Sequence, residues 1–326
     1  MRTRPAALLA AALLCLAGPA AAQPVEGAER VMRLEDPRVV ESSGLAVSRR
    51  HPGVIWTHND SGDAARLFAV GGDGRTLATL RLAGVAARDW EALAAGRDDQ
   101  GRPALFVGDI GDNQGVWDEV AVYRVREPAA LGDATVPAVR YRLGYADGPR
   151  DAEALLVDPR SNRLYVASKQ EAGGGLYQAP ARLEAGRVNL LRRVAAVPPV
   201  VTDGGFLPAG RGFVLRDYQT AHVFAAPGRP LGSFPLPFQV QGESLAVGSD
   251  GRSVLSGSEG PASDIWRIPL PASVLPAPAP TTSPPAAAAQ PADDGSSGLG
   301  VGPALALAAG VLAALAGAAV ALRRRR

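Results

Sequence analysis

The chain has 326 residues with 34 basic and 32 acidic side chains, but six of the basic residues lie in its first four and last four positions. Residues 23–297 therefore hold 28 basic and 32 acidic side chains, a net charge of −4. A nucleic-acid-binding surface needs clustered basic residues, so this balance excludes nucleic acid as a partner. The single cysteine, Cys15, lies near the N-terminus, so residues 23–326 contain no disulfide and depend on a packed core.

The first 22 residues have the layout of a secretory signal peptide. Arg2 and Arg4 precede an apolar run over residues 6–16, and a small-residue stretch then ends at Ala22. A lipid-modified Cys15 is the alternative, although Leu14 occupies the preceding position, where such sites usually have a small residue. The pattern predicts export of the chain.

The C-terminal segment is typical of a membrane anchor. Residues 298–322 carry no charge and, as a helix rising about 1.5 Å per residue, are long enough to cross about 30 Å of hydrocarbon. Four arginines follow at 323–326 and are expected to stay cytoplasmic. The alternative is a buried apolar helix. Residues 271–297 are rich in Pro and Ala and predict an extended stalk between the anchor and an extracytoplasmic domain over residues 23–270.

Five apolar-aromatic pairs recur through residues 23–270. They are Leu67-Phe68, Val122-Tyr123, Leu176-Tyr177, Val223-Phe224 and Ile265-Trp266. The aromatic members are 55, 54, 47 and 42 residues apart, a spacing that suits repeat units which bury their faces against neighbours. Each unit shows short apolar runs separated by turn residues, and the pairs are predicted to pack between neighbouring sheets.

The repeats predict an all-β fold, a β-propeller of five four-stranded blades. The last unit lacks an outer strand before the proline-rich segment, so residues 30–34 are predicted to supply it and close the ring. Six blades are the alternative, with the sixth formed from the long connections after Pro128 or Leu191.

Polar residues gather where first strands begin and second strands end, and these points share one face of a propeller. Carboxylates crowded there repel each other unless a hard cation with oxygen ligands neutralises them, which favours calcium. The predicted metal ligands are Glu91, Asp109, Asp112, Asn113 and Asp151. The predicted ligand-binding residues are Glu41, Asp60, Asp89, Glu153, Lys169, Arg216 and Glu243, of which the two basic ones would receive an anionic group. The alternative is that these residues cap turns or form surface ion pairs.

Nucleophilic hydrolysis is disfavoured because the chain has no Gly-x-Ser-x-Gly motif and residues 23–326 have no cysteine. His58 is the single histidine in the predicted polar mouth and is interpreted as a hydrogen-bonding residue. Metal-assisted hydrolysis needs no protein nucleophile and stays open.

Three strand starts resemble those of phytase-like and esterase-like extracellular bacterial β-propellers: residues 41–47 (ESSGLAV), 153–159 (EALLVDP) and 243–247 (ESLAV). In the phytases of this group, channel carboxylates hold calcium ions that bind phosphate groups. By position, the resemblance implies such a role for Asp89, Glu91, Asp151, Glu153 and Glu243. Such a site would use six blades and several basic residues, whereas this chain shows five repeats and a single lysine, Lys169.

The favoured function is therefore a membrane-anchored, calcium-binding module outside the cell. Its expected ligand is a cell-wall polymer, a glycan, a protein or an anionic small molecule. The alternative is a calcium-dependent phosphoesterase or a related hydrolase.

Overall fold

A computed structural model describes residues 25–275, which form twenty-one strands and two one-turn 3₁₀ helices, Pro208–Gly210 and Ala272–Val274. The predicted signal peptide, the transmembrane segment 298–322, the arginine tail 323–326 and most of the stalk lie outside the described residues. No helix between residues 25 and 275 is both long enough and apolar enough to span a bilayer.

The strands form five consecutive four-stranded units, each a run of antiparallel neighbours. Unit 1 contains β2 (Ser42–Val47), β3 (Ile55–Asn59), β4 (Arg66–Val70) and β5 (Thr76–Leu82). Unit 2 contains β6 (Trp90–Arg97), β7 (Pro103–Asp109), β8 (Val120–Arg126) and β10 (Ala138–Tyr145). Unit 3 contains β11 (Ala152–Val157), β12 (Leu164–Ser168), β13 (Gly175–Gln178) and β14 (Val188–Ala196). Unit 4 contains β15 (Asp203–Phe206), β16 (Phe213–Arg216), β17 (Thr220–Ala226) and β18 (Arg229–Pro235).

The fifth unit joins the two ends of the described chain. It contains β19 (Leu245–Val247), β20 (Ser253–Ser256) and β21 (Asp264–Pro269), and β1 (Glu29–Arg33) pairs antiparallel with β21 as its fourth strand. The N-terminal segment thus takes the position expected from the missing outer strand.

The long connections that offered a sixth unit have other roles. The connection after Pro128 contains β9 (Ala134–Val136), which pairs parallel with β5. Leu191 lies inside β14, which pairs parallel with β10 and joins units 2 and 3 into one eight-stranded sheet. Within residues 25–275, neither connection forms a further four-stranded unit.

The first strands of the five units, β2, β6, β11, β15 and β19, are called the inner strands below. They contact each other in a closed cycle, each touching the inner strands of the two neighbouring units. Their small residues permit this close approach, since a Cβ added at Gly44 would lie 2.6 Å from the backbone nitrogen of Leu93. The fold is therefore all-β and of the propeller type, as the repeats predict.

The core lies between neighbouring units and contains the apolar-aromatic pairs. Phe68, Tyr123, Tyr177 and Phe224 are buried, and Trp266 is half-buried against the core beside β21. At the end of the described chain Val274 is buried next to β18, so the packed domain includes residues 271–275, which the composition assigns to the stalk.

Candidate metal centre

The inner strands all begin at one mouth of the ring, and the second strands end there because each pairs antiparallel with its inner strand. The predicted acids therefore fall near one opening, called the acidic mouth below. It comprises Glu41, Asp60, Asp89, Glu91, Asp151, Glu153, Glu243 and Glu259, which precede or begin inner strands or follow second strands.

Three of these carboxylates form a compact cluster. Asp60 directly follows β3, Asp89 directly precedes β6, and Glu91 is the second residue of β6. Each contributes an oxygen, and the three oxygens lie within 4.8 Å of one another. We call Asp60, Asp89 and Glu91 the carboxylate trio.

The trio lacks the partners that buried carboxylates normally have. Glu91 is 6% exposed, and no described residue donates a hydrogen bond to its side chain or forms an ion pair with it. Oδ1 of Asp60 is buried and also has no hydrogen-bond partner among the described residues. Buried carboxylate oxygens that receive no hydrogen bond from a donor are a suitable environment for a cation.

Gly111 faces the same trio. A Cβ added at this position would lie 2.4 Å from Oε1 of Glu91 and 2.5 Å from Oδ2 of Asp89. A side chain at residue 111 would therefore collide with the carboxylate oxygens, and glycine keeps them accessible to each other and to an ion.

The negative charges of the trio repel one another. Burial, followed by the charges of Asp89 and Glu259, raises the pKa of Asp60 to about 7. Burial and the charges of Glu153 and Asp60 raise the pKa of Glu91 to about 11. At neutral pH the trio must therefore hold protons or bind a cation, because its carboxylates cannot all be ionised side by side.

A second group of acids lies beside the trio. The Glu153 carboxylate forms an ion pair with Lys169, whose ammonium also lies 5.3 Å from the centre of the Tyr218 ring. Burial raises the pKa of Glu153 to about 8 although Lys169 opposes this shift. Lys169 is therefore committed to a carboxylate of the protein, which differs from its predicted role as a receptor for an anionic ligand.

Glu259 belongs to this group and was not among the predicted site residues. Its carboxylate accepts hydrogen bonds from the hydroxyl of Ser43 at 2.5 Å and from the side-chain amide of Gln241. Burial, with a contribution from Glu243, raises the pKa of Glu259 to about 7. Glu259 follows β20 at the position that Asp60 takes after β3. The alignment of the repeats could therefore have predicted Glu259 as a site residue. Burial, followed by the negative charge of Glu259, raises the pKa of the half-buried Glu41.

The carboxylates in and around the predicted metal loop 109–113 bond to backbone N–H groups. An oxygen of Asp109 accepts a hydrogen bond from the backbone N–H of Asp89 at 2.9 Å. The Asp112 carboxylate accepts the N–H groups of residues 116 and 117 at 3.1 and 2.7 Å, and Asp151 accepts the N–H of Asp112 at 2.9 Å. Asn113 is exposed. These carboxylates hold loop backbone in place by accepting its N–H groups. Of the five predicted metal ligands, only Glu91 belongs to the trio.

Arg216 also differs from its predicted role. It is fully buried, and its guanidinium donates to the carbonyl oxygens of Asp217 at 2.9 Å and Tyr218 at 3.0 Å, with further bonds into unit 5. Each of its three nitrogens donates to protein, and the fully buried side chain is not accessible to an external anion.

His58 is buried in β3, two residues before Asp60. Its Nδ1 lies 2.9 Å from the carbonyl oxygen of Asn59, and its ring meets the Trp90 ring edge-on at 5.7 Å. Burial lowers the pKa of His58 to about 4, so it is neutral at physiological pH.

Comparisons with known proteins add little to this site. No protein-family model matches the chain, and no curated protein matches its sequence. Among solved structures, the chain is similar to a gluconolactonase from Xanthomonas campestris at 18% identity and a TM-score of 0.42, over 77% of this chain and 98% of the other.

Proposed function

We propose that this protein binds a divalent cation, with calcium as the best fit, through Asp60, Asp89 and Glu91 at the acidic mouth. The supporting observation is the Glu91 carboxylate, which is buried within reach of two other carboxylates and has no donor among the described residues. Calcium takes six to eight oxygen ligands in flexible geometry, so three carboxylates and water molecules suit it. The bound ion would in turn attract a ligand that carries oxygen donors.

Calorimetric titration of the metal-free full-length chain with calcium at pH 7.5 tests this proposal. We expect exothermic or endothermic binding at one site, with affinity reduced by about tenfold or more in Asp60→Asn and Glu91→Gln, since each variant removes one charged ligand. Asp99→Asn is the matched control, because Asp99 is exposed and pairs with Arg124 away from the mouth. Absence of heat, together with a melting temperature insensitive to EDTA, would contradict the proposal.

A metal-dependent hydrolase is the second candidate. It is favoured by Glu153 and Glu259, whose pKa values of about 8 and about 7 allow proton exchange near neutral pH at the acidic mouth. A carboxylate of this kind can take a proton from water activated by the cation. Phosphoesters are the first substrate class to test, because of the resemblance of the strand starts to phytase-like propellers.

A panel of phosphoester, carboxylic ester and lactone substrates with and without calcium separates the two candidates. In the hydrolase case we expect EDTA-sensitive turnover that falls by about 10²-fold or more in Glu153→Gln, while calcium binding by this variant persists. Glu119→Gln, at a half-exposed carboxylate paired with Arg142, is the control. A binding module would show no turnover with any member of the panel.

We also propose that the domain is exported, held by a membrane helix at residues 298–322, and separated from the membrane by the proline-rich segment. Calcium is abundant outside cells, where weak sites of this kind are used. The proposed partners are surface polymers, glycans, proteins or anionic small molecules.

A further inference from the structure

A cavity opens at the mouth of the ring opposite the acidic mouth. It has a volume of about 720 Å³ and is lined by residues from the later part of all five inner strands and by residues that follow them. Glu91 and Arg97 mark the two ends of β6, and six residues of extended strand span about 20 Å. The cavity is therefore separate from the carboxylate trio.

The charged residues that line this cavity are both basic. Arg49 follows β2, and Arg97 ends β6. The two arginines stand at equivalent positions in neighbouring units, each six residues after the second residue of its inner strand, Ser43 and Glu91 respectively. No aspartate or glutamate is among the described residues that line the cavity.

Neither guanidinium is neutralised by the domain. Among residues 25–275, no carboxylate lies within ion-pair distance of Arg49 or Arg97, and the Arg97 side chain makes a single long bond of 3.4 Å to the carbonyl oxygen of Pro159. Burial and the neighbouring charge of Arg97 lower the pKa of Arg49, against the attraction of Glu127.

Glu127 does not pair with the Arg49 side chain because its carboxylate is already used. It is 1% exposed and accepts the indole N–H of Trp56 at 2.9 Å, the Ser48 hydroxyl and the backbone N–H of Arg49 at 3.3 Å. The two guanidinium groups therefore face the cavity with donors available.

The rest of the lining combines apolar side chains with unpaired backbone. Val47, Phe206 and Val247 are partly exposed to the cavity. Each inner strand is the terminal strand of its sheet, so peptide groups on its free edge have no ladder partner. Such groups can donate to an oxyanion, while the apolar side chains contact a hydrocarbon body.

We infer that this cavity is a binding site for a small organic anion, whose oxyanion group is held by Arg49 and Arg97 and whose apolar part lies between the inner strands. Guanidinium groups form bidentate bonds with carboxylate and phosphate oxygens, and two together suit one oxyanion. The volume is in the range of metabolite-sized ligand sites. This site is independent of cation binding at the acidic mouth.

Calorimetry of the full-length chain with hexanoate and hexyl phosphate tests the site, with hexan-1-ol as the uncharged probe. We expect both anions to bind and the alcohol to bind at least tenfold more weakly, at about 50 mM salt, where charge attraction is weakly screened. Arg49→Gln and Arg97→Gln should each weaken anion binding by about tenfold or more, the effect of a lost charge-assisted hydrogen bond. Arg75→Gln is the control, because Arg75 is 74% exposed and pairs with Glu35.

Three results would overturn this inference. They are the absence of anion binding up to about 10 mM, wild-type affinity in both arginine variants, and equal affinity for the alcohol. The melting temperature of each variant is measured alongside, and Arg97→Gln decides the outcome if Arg49→Gln unfolds, since the Arg97 side chain makes only one long hydrogen bond within residues 25–275. Asp60→Asn should leave anion binding unchanged, which separates this site from the proposed cation site.

Discussion

Replacing Glu91 with glutamine is expected to stabilise the metal-free protein at pH 7 and to remove most of the stabilisation by calcium. Burial first, and then the charges of Glu153 and Asp60, raise the pKa of Glu91 from its usual 4.5 to about 11. At pH 7 the folded protein therefore retains a proton that the unfolded chain releases. At about 1.4 kcal/mol per pKa unit, this proton uptake lowers the stability of the folded state by up to about 3 kcal/mol.

Glutamine has no such cost because it is neutral in both states. Glu91→Gln should therefore raise the melting temperature of the metal-free chain by several degrees, since about 1 kcal/mol corresponds to about 2–4 °C for a domain of this size. Calcium at about 100 times its Kd should stabilise the wild-type protein by about 2.7 kcal/mol and the variant by much less. A variant that is merely misfolded would lose stability in EDTA as well, so a gain in EDTA together with a smaller response to calcium identifies the charge cluster.

Three other acids of the mouth set the direction in which the stability of the metal-free protein changes with pH. The pKa values of Asp60, Glu259 and Glu153 are raised to about 7, about 7 and about 8. Stabilisation by an acid with a raised pKa is complete below its unfolded pKa and is lost as the pH rises through its folded pKa. The metal-free wild-type protein should therefore melt at progressively lower temperature between about pH 5 and pH 8, and calcium should reverse the loss.

Scanning calorimetry from pH 5 to 8, with EDTA or with calcium, measures both effects. Asp99→Asn serves as the control and should follow the wild type under both conditions, because Asp99 is 72% exposed. A metal-free melting temperature that does not change over this range, or a Glu91→Gln variant that is less stable than the wild type in EDTA, would contradict the charge model of the mouth.

The spacing of the apolar-aromatic pairs in the sequence was enough to predict the fold type and the face of the ring on which the acids gather. Buried apolar-aromatic pairs mark the same strand in each unit, so residues at fixed offsets from them, such as Glu91 and Glu153, fall on one mouth. The role of each acid was not predictable in the same way. Asp109 and Asp112 occupy positions that suit metal ligands, but the nearby backbone N–H groups take up their oxygens, and no sequence pattern distinguishes an aspartate that caps a turn from one that faces an opening.

Gly111 illustrates a second limit. Within its loop it resembles any turn glycine, and its importance lies in the carboxylates of Asp89 and Glu91, which belong to another part of the chain. Contacts of this kind depend on how the inner strands close around the axis. The two arginines of the opposite mouth were missed for a similar reason, because they become neighbours only when units 1 and 2 pack together.

Replacing Arg216 with methionine is expected to destabilise the domain by about 3–5 kcal/mol, the cost of breaking a buried charged network. The guanidinium donates to the carbonyl oxygens of Ser244 and Gly257 and to the Ser256 hydroxyl at 3.0, 3.2 and 3.0 Å, and so joins unit 4 to unit 5. Burial lowers the pKa of Arg216 to about 10, with the charge of Asp203 opposing, so it stays charged at pH 7. Methionine fills similar volume but leaves these acceptors without donors.

The variant also leaves Asp203 without its nearest compensating charge. Asp203 is fully buried, and its carboxylate accepts the backbone N–H groups of Leu245 at 2.6 Å and Gly204 at 2.7 Å. Urea denaturation should show the loss in Arg216→Met, a smaller loss in Arg216→Lys, which keeps a charge and three donors, and no loss in Arg211→Met, where the side chain is exposed. If Arg216 served a ligand, Arg216→Met would keep wild-type stability, so an unchanged denaturation midpoint would restore the binding role. A large loss instead establishes that this arginine fastens the last two units of the ring to each other.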